Sequence, residues 1–154
     1  MTGHDAAKPL ARAVVVYLAG GMKSGWQDAL VAGLKGQNLI ILDPRAHDAR
    51  NEVAYTAWDL TAVDLADVVL GYMEASNPGG AGLAVEFGWA AKAGKQILLL
   101  EESGYAQERY FGMVRALAHT HVRVASPADA VAKGLQLLTE YVRHHGRPLH
   151  GSGR

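Results

Sequence analysis

The sequence of 154 residues contains no cysteine, no net charge and no long apolar run. Without cysteine, disulfides, thiol nucleophiles and cysteine-ligated metal sites are excluded. Because 15 basic residues balance 15 acidic ones, the composition argues against a nucleic-acid surface and against charge-driven membrane binding. No apolar segment approaches the ~20 residues that span a bilayer. Residues 1–12 are polar and contain no apolar core of signal-peptide length, so we expect a soluble, cytoplasmic protein.

Apolar runs alternate with segments of helical period along the chain. Continuous β-branched and leucine-rich runs predict buried strands at residues 13–19, 38–42, 67–73, 96–100 and 121–125. Apolar periodicity and capping signals predict helices at residues 26–34, 53–65, 83–93, 106–118 and 127–143. Strands that alternate with helices form parallel sheets with right-handed crossovers.

This alternation predicts a single α/β domain. We expect a flavodoxin-like, doubly wound sheet of five parallel strands over residues 13–143. Flexible segments are expected at residues 1–12 and 144–154. In such sheets ligands bind beyond the carboxyl ends of the strands. The loops predicted at that edge, at residues 20–25, 43–51 and 74–82, are the glycine-rich and polar ones.

Two acidic side chains have no charged neighbour three or four positions away on their own predicted helices. The residues three and four positions away from Glu86 are Gly82, Leu83, Trp89 and Ala90, and those around Asp59 are Tyr55, Thr56, Ala62 and Val63. Both helices begin at the edge where ligands are expected, and Tyr17 lies near the end of the first strand. A nucleophilic carboxylate and a second carboxyl that acts as an acid are the groups that retaining glycosyl transfer requires. The residues therefore indicate a site formed by Glu86, Asp59 and Tyr17.

Other interpretations of these residues remain open. A glutamate near a helix N-terminus is favoured by the helix dipole alone. The segment from Gly80 resembles the dinucleotide motif G-x-G-x-x-G, but Val85 replaces its last glycine. Met22 stands where a phosphate-binding loop needs glycine before its lysine. His119 and His121 have no acidic partner nearby in the sequence, so we expect neither a metal site nor a cofactor.

The same residues resemble a known family. The segments Y-L-A-G from Tyr17, D-L from Asp59 and D-V-V-L from Asp67 match, in order and spacing, the nucleoside 2-deoxyribosyltransferases. So does G-A-G-L-A-V-E-F-G-W-A from Gly80, which Gly94 and a lysine follow. The resemblance covers roughly residues 13–100.

The resemblance implies a role for each residue. Glu86 would attack the sugar C1′ and form a glycosyl-enzyme, Asp59 would hydrogen-bond or protonate the departing base, and Tyr17 would orient Glu86. The loop at residues 77–82 would bind the sugar, and family members usually complete the site from a neighbouring subunit. We thus predict a homodimer or higher homo-oligomer. Its partners would be a nucleoside or nucleotide and a free nucleobase, with no nucleic acid, membrane or cofactor.

The predicted activity is transfer of the sugar of a (deoxy)nucleoside to another base. The residues predicted to contact the substrate are Gly20, Gly21, Met22, Trp58, Asn77, Gly80 and Gly82. Two alternatives remain: hydrolysis of a nucleoside or nucleoside 5′-monophosphate, as in the related deoxynucleoside 5′-monophosphate N-glycosidases, and nucleotide binding without chemistry.

The sequence departs from the family pattern at three places. Gly80 and Ala81 stand where the family often carries an acidic residue for the sugar, and Phe111 aligns with its cross-subunit polar position. Gly21 and Gly80 align with the serines that hold phosphate in the N-glycosidase branch. In such a branch member, Lys23, Ser24 and backbone N–H groups could substitute for those serines.

Overall fold

A computed structural model describes residues 12–76 and 79–145 of the protein. Five parallel strands form one sheet with the order β2-β1-β3-β4-β5, which confirms the predicted flavodoxin-like α/β fold. The strands are β1 Val14–Gly20, β2 Leu39–Leu42, β3 Val68–Met73, β4 Gln96–Glu101 and β5 Thr120–Arg123. The order reverses between β1 and β3, so the carboxyl ends of these two strands flank the crevice where ligands bind in such sheets.

Helices cover both faces of the sheet. They are α1 Trp26–Gly33, α2 Glu52–Leu65, α3 Ala81–Lys92, α4 Gly112–Leu117 and α5 Pro127–His145. Helix α1 contacts α5 on one face, whereas α3 lies between α2 and α4 on the other. Each face has its own hydrophobic core, because successive side chains of the buried strands point to opposite faces. None of the helices within residues 12–76 and 79–145 combines the length and apolar character that crossing a bilayer requires.

The predicted helix at residues 106–118 is wrong in its first half. The chain instead forms a turn and a short 3₁₀ segment, Glu108–Tyr110, and α4 begins only at Gly112. Local hydrogen bonds compete with the helix here. The Glu108 carboxylate accepts a hydrogen bond from the Gly104 amide at 3.0 Å, and the Glu108 carbonyl accepts one from Arg115.

Gly71 in the central strand lets α3 approach the sheet closely. A Cβ atom at Gly71 would lie 2.5 Å from Cζ of Phe87, the residue that follows Glu86. The absence of this Cβ therefore sets how near Glu86 lies to the strand ends.

We expect Gly71→Ala to lower the free energy of unfolding by about 1–3 kcal/mol, because the added methyl group would overpack the core against Phe87. Gly88→Ala is the matched control on α3, where an added Cβ meets nothing within 4 Å. That substitution should raise stability by up to ~1 kcal/mol. Urea unfolding of both variants measures the difference, and equal effects would contradict the close approach of α3.

Candidate active site

A cavity of about 470 Å³ opens at the carboxyl ends of β1 and β3. Its volume suits a small organic ligand. The predicted site residues that line it are Gly20, Gly21, Met22, Asp59, Gly80, Gly82 and Glu86. The structure therefore brings together residues from the first loop, from α2 and from the start of α3.

Glu86 reaches the cavity from the second turn of α3. Its side chain is buried, at 9% exposure, and its Oε1 accepts a hydrogen bond of 2.8 Å from the Tyr17 hydroxyl. Burial raises the pKa of Glu86 to about 7; the Tyr17 hydrogen bond opposes this rise and the charge of Asp59 adds to it. Glu86 thus gains and loses its proton near neutral pH.

Tyr17 lies between the two acidic residues. It is fully buried in β1 and interacts electrostatically with both Glu86 and Asp59. Burial, followed by these two carboxylates, raises the pKa of Tyr17 far above its usual range. The hydroxyl consequently stays protonated and can only act as a permanent donor toward the carboxylates.

The hydrogen-bonding partner of Asp59 is His47, which lies in a loop and not on the helix of Asp59. Nε2 of His47 lies 3.2 Å from Oδ1 of Asp59. The Ala49 amide donates to Nδ1 of His47 at 3.3 Å, so the neutral ring carries its proton on Nε2 and donates it to Asp59. Burial raises the pKa of Asp59, while the hydrogen bonds from His47 and Tyr17 oppose that rise.

His47 is a site residue that sequence reasoning missed. It lies 12 residues before Asp59 in an irregular loop, where no periodicity relates the two. The available signal was its place in the polar loop after β2, at the edge where ligands bind. The ring of His47 packs against Trp58, with 4.9 Å between ring centroids.

Among the described residues, the predicted positions Tyr17, Trp58 and Phe111 are not part of the cavity lining. Trp58 borders an outer groove with Leu42 instead, and supports the site through His47. Asn77 lies outside the described residues. Phe111 is buried in its own chain against Tyr105, with ring centroids 5.7 Å apart.

Side-chain hydrogen bonds hold the loop after β1 in place. The Gly21 carbonyl accepts hydrogen bonds of 2.8 Å from both the Trp26 indole and the Gln27 amide. The Ser24 hydroxyl donates to Glu74 at 2.7 Å. These contacts fix the backbone that forms one wall of the cavity, and they leave Ser24 no proton to donate to a ligand.

The donor set favours chemistry by carboxylates. Among residues 12–76 and 79–145 there is no group of three or more His, Asp or Glu side chains that could hold a metal ion. What the cavity presents is a buried carboxylate oriented by a tyrosine and a second carboxylate oriented by a histidine. Such a pair can act as nucleophile and proton donor on one bound molecule.

Tyr17→Phe tests the orientation of Glu86 directly. Without the hydroxyl, the ionised form of Glu86 loses a hydrogen bond, and its pKa should rise from about 7 to roughly 8. The measurement is a ¹³C NMR titration of the Glu86 carboxyl. Tyr72→Phe, which removes a 2.8 Å hydrogen bond to Glu102 from the other core, should leave the Glu86 pKa unchanged. An unchanged pKa in Tyr17→Phe would contradict the contact.

Comparisons with known proteins place the chain in a family. The family model described as nucleoside 2-deoxyribosyltransferase like matches residues 13–104. A search of curated proteins found no match.

Solved structures share the fold. The CMP N-glycosidase of Clostridium botulinum is similar with a TM-score of 0.57 and 20% identity, over 80% of this chain and 98% of its own. A 2-deoxyribosyltransferase from Leishmania mexicana gives 0.52 and 20% identity, over 64% and 71%. The molybdenum cofactor binding protein from Rippkaea orientalis gives 0.50 and 15%, over 85% and 98%. These likenesses extend to the fold alone, which hosts several functions.

Proposed function

The chain belongs to the nucleoside 2-deoxyribosyltransferase-like family, and from this premise we propose that it cleaves the N-glycosidic bond of a (deoxy)nucleoside and transfers the sugar to another base. The observation that carries the proposal is the meeting of Glu86 and Asp59 at one cavity, with the Tyr17 hydroxyl between them. These are the two carboxyls that retaining glycosyl transfer needs.

In the first half-reaction, the free oxygen of the Glu86 carboxylate attacks C1′ of the sugar. The bond from C1′ to the base nitrogen breaks, its electron pair goes to the base, and Asp59 supplies the proton or hydrogen bond that the departing base requires. Tyr17 keeps its proton throughout and holds Oε1 of Glu86, which fixes the attacking oxygen. The product is a glycosyl ester on Glu86.

The second half-reaction reverses the first. A nitrogen of the incoming base attacks C1′, Asp59 accepts the proton that this nitrogen loses, and Glu86 leaves as a carboxylate. The charge of Asp59 adds to the raised pKa of Glu86, whose ionisation in the free protein requires a pH near or above 7. We propose that His47, which donates to Asp59, stabilises the Asp59 carboxylate that accepts the proton in this half-reaction.

The side chains near the cavity offer a 5′-phosphate fewer free donors than the sequence suggests. Lys23 lines the cavity and could meet a phosphate, but the Ser24 hydroxyl already donates to Glu74. A phosphate needs several donors that converge on it. We therefore propose the unphosphorylated nucleoside as the substrate class.

The test is mass spectrometry of the intact protein after exposure to a 2′-fluoro-2′-deoxynucleoside, because fluorine slows glycosyl transfer and lets the ester accumulate. A sugar-sized adduct on the peptide that contains Glu86, absent from Glu86→Gln, is the expected result. Release of the adduct as a new nucleoside on addition of free base indicates transfer. Equally fast release as free sugar indicates hydrolysis, and binding of nucleosides with neither adduct nor turnover indicates a binding module.

We also propose that the active form is a homodimer or larger assembly. Large exposed apolar side chains are concentrated on the layer of α2, α3 and α4: Val53, Leu65, Val85, Trp89 and Met113. Patches of this kind commonly mark protein interfaces. Light scattering at micromolar concentration should give at least twice the chain mass, and Val85→Glu should lower it; a monomer for the unmodified protein would refute the proposal.

A further inference from the structure

Glu101, the last residue of β4, is fully buried and forms the centre of an ionic cluster. Its carboxylate accepts hydrogen bonds from Nε of Arg115 at 2.9 Å and from the Tyr105 hydroxyl, and Nε2 of His121 lies 2.8 Å away. His121, which has no acidic residue near it in the sequence and lies on the edge strand β5, thus gains Glu101 as a partner through the fold. Burial would raise the pKa of Glu101, but the hydrogen bonds from Arg115 and Tyr105 hold it below its usual range.

The cluster ties down the segment between β4 and α4. Arg115 bridges the Glu101 carboxylate and the Glu108 carbonyl, and Arg123 donates to the Glu108 carboxylate at 2.7 Å. Tyr105, which is held by Glu101, packs edge to face against Phe111. The position of the Phe111 ring thus depends on a buried carboxylate that the proposed reaction does not use.

Phe111 lies directly behind the wall of the candidate site. A Cβ at Gly80 would lie 2.6 Å from Cζ of Phe111 and 3.0 Å from Sδ of Met73. Gly80 and Met73 both line the cavity, whereas Phe111 does not. Gly80 has a φ of 82°, which only glycine adopts readily, so it accepts the close contact with the ring at no steric cost.

Gly80 also starts the helix that carries Glu86. Its carbonyl accepts a hydrogen bond of 2.9 Å from the Ala84 amide, the first of α3, and Gly80, as the N-cap residue, has no side chain with which to cap the helix. Glu86 lies in the next turn. A shift of Gly80 is therefore transmitted through the first turn to the carboxylate, and misplacement of a reacting group by about 1 Å can lower a rate about 100-fold.

We propose that Phe111, held by the cluster of Glu101, Tyr105, Arg115 and His121, is a positioning residue that fixes Gly80 and the start of the helix bearing the nucleophile. Its effect on rate rests on the proposed function, but its effect on α3 does not. The position at which the family resemblance implies a polar residue is occupied in this chain by an apolar ring that is buried in its own core.

The test compares Phe111→Ala with Leu138→Ala. Leu138 is fully buried in the opposite core, so both substitutions leave a cavity, but only the first lies near Gly80. We expect hydrogen exchange of the Ala84 amide, measured by NMR, to become at least ~10-fold faster in Phe111→Ala than in Leu138→Ala. We expect kcat to fall ~10-fold or more in Phe111→Ala, with a smaller change in KM, and Phe111→Leu to restore most of it.

Equal exchange of Ala84 in the two alanine variants, or equal loss of kcat, would overturn the proposal. If the unmodified protein turns over no nucleoside, the proposed function fails, while the exchange comparison still decides the positioning role. If Phe111→Ala does not fold, Phe111→Leu and Arg115→Lys carry the same comparison with expected changes of ~3-fold.

The link from the cluster to Phe111 has its own test in a double-mutant cycle. If Arg115 acts through Phe111, the combined Phe111→Leu and Arg115→Lys variant should lose less kcat than the product of the two single losses. Losses that simply multiply would show that the two residues act independently, and would refute the role given to the cluster.

Discussion

Replacing Glu86 with glutamine is expected to abolish turnover and to make the protein more stable above pH 7. Glutamine keeps the size of the side chain but offers no nucleophilic carboxylate, so the rate of nucleoside cleavage should fall at least ~10³-fold. The structural reason for the opposite effect on stability is that Glu86 is buried, with Tyr17 as the partner that its carboxylate contacts at 2.8 Å.

The sign of the stability change follows from the pKa. Burial raises the pKa of Glu86 from 4.5 to about 7 in the folded protein, so between these values the folded state binds more protons than the unfolded state. Stability is therefore lost as the pH rises through this window, and the ionised side chain costs up to about 3 kcal/mol above it. Glu86→Gln removes this cost, whereas near pH 4 it should change little.

Urea unfolding at pH 4 and pH 8, together with a nucleoside cleavage assay, measures both effects. Glu140→Gln, on the exposed face of α5, is the control that should leave activity and stability unchanged. A Glu86→Gln protein that retains more than a tenth of the activity would exclude Glu86 as the nucleophile. If Glu86→Gln is less stable than the unmodified protein at pH 8, burial of the ionised Glu86 does not destabilise the fold.

Much of the architecture could be predicted because it depends on local patterns. Strands β1, β3 and β4 are buried on both faces, so nearly every residue in them is apolar and the run can be recognised in the sequence. Since parallel strands bring their carboxyl ends to one edge, the topology then places Tyr17 and Glu86 close together. Their hydrogen bond could thus be expected without any long-range information.

The errors came from contacts that no local pattern encodes. His47 reaches Asp59 from an irregular loop, and Trp58, one residue before Asp59, points about 100° away around α2 and so borders another groove. The segment before α4 has a helical pattern, but the hydrogen bonds that Glu108 accepts from the Gly104 amide and from Arg115 hold it in another conformation. Neither apolar periodicity nor capping signals reveal these contacts.

Replacing Asp59 with asparagine should separate its two roles. The amide cannot give a proton to the departing base, so cleavage of a nucleoside with a poor leaving base should slow by about 10²–10⁴-fold. A substrate whose base leaves readily without protonation should lose far less. The charge of Asp59 also contributes to the raised pKa of Glu86, so its removal lowers that pKa. In a plot of rate against pH, the rate should rise as Glu86 ionises, with a midpoint near pH 7 in the unmodified protein. In Asp59→Asn this rising limb should move to lower pH.

The measurement is kcat/KM against pH for two nucleosides that differ in leaving-group pKa. Asp64→Asn is the matched control on α2, because Asp64 accepts a hydrogen bond from the Trp89 indole at 2.7 Å outside the cavity lining. It should change neither the limb nor the leaving-group dependence. Equal losses for both substrates in Asp59→Asn would mean that this carboxyl orients the substrate rather than serving the base. Equal losses together with an unmoved limb would mean that Asp59 and Glu86 do not act on the same bound nucleoside, and that the charge of Asp59 does not contribute to the Glu86 pKa.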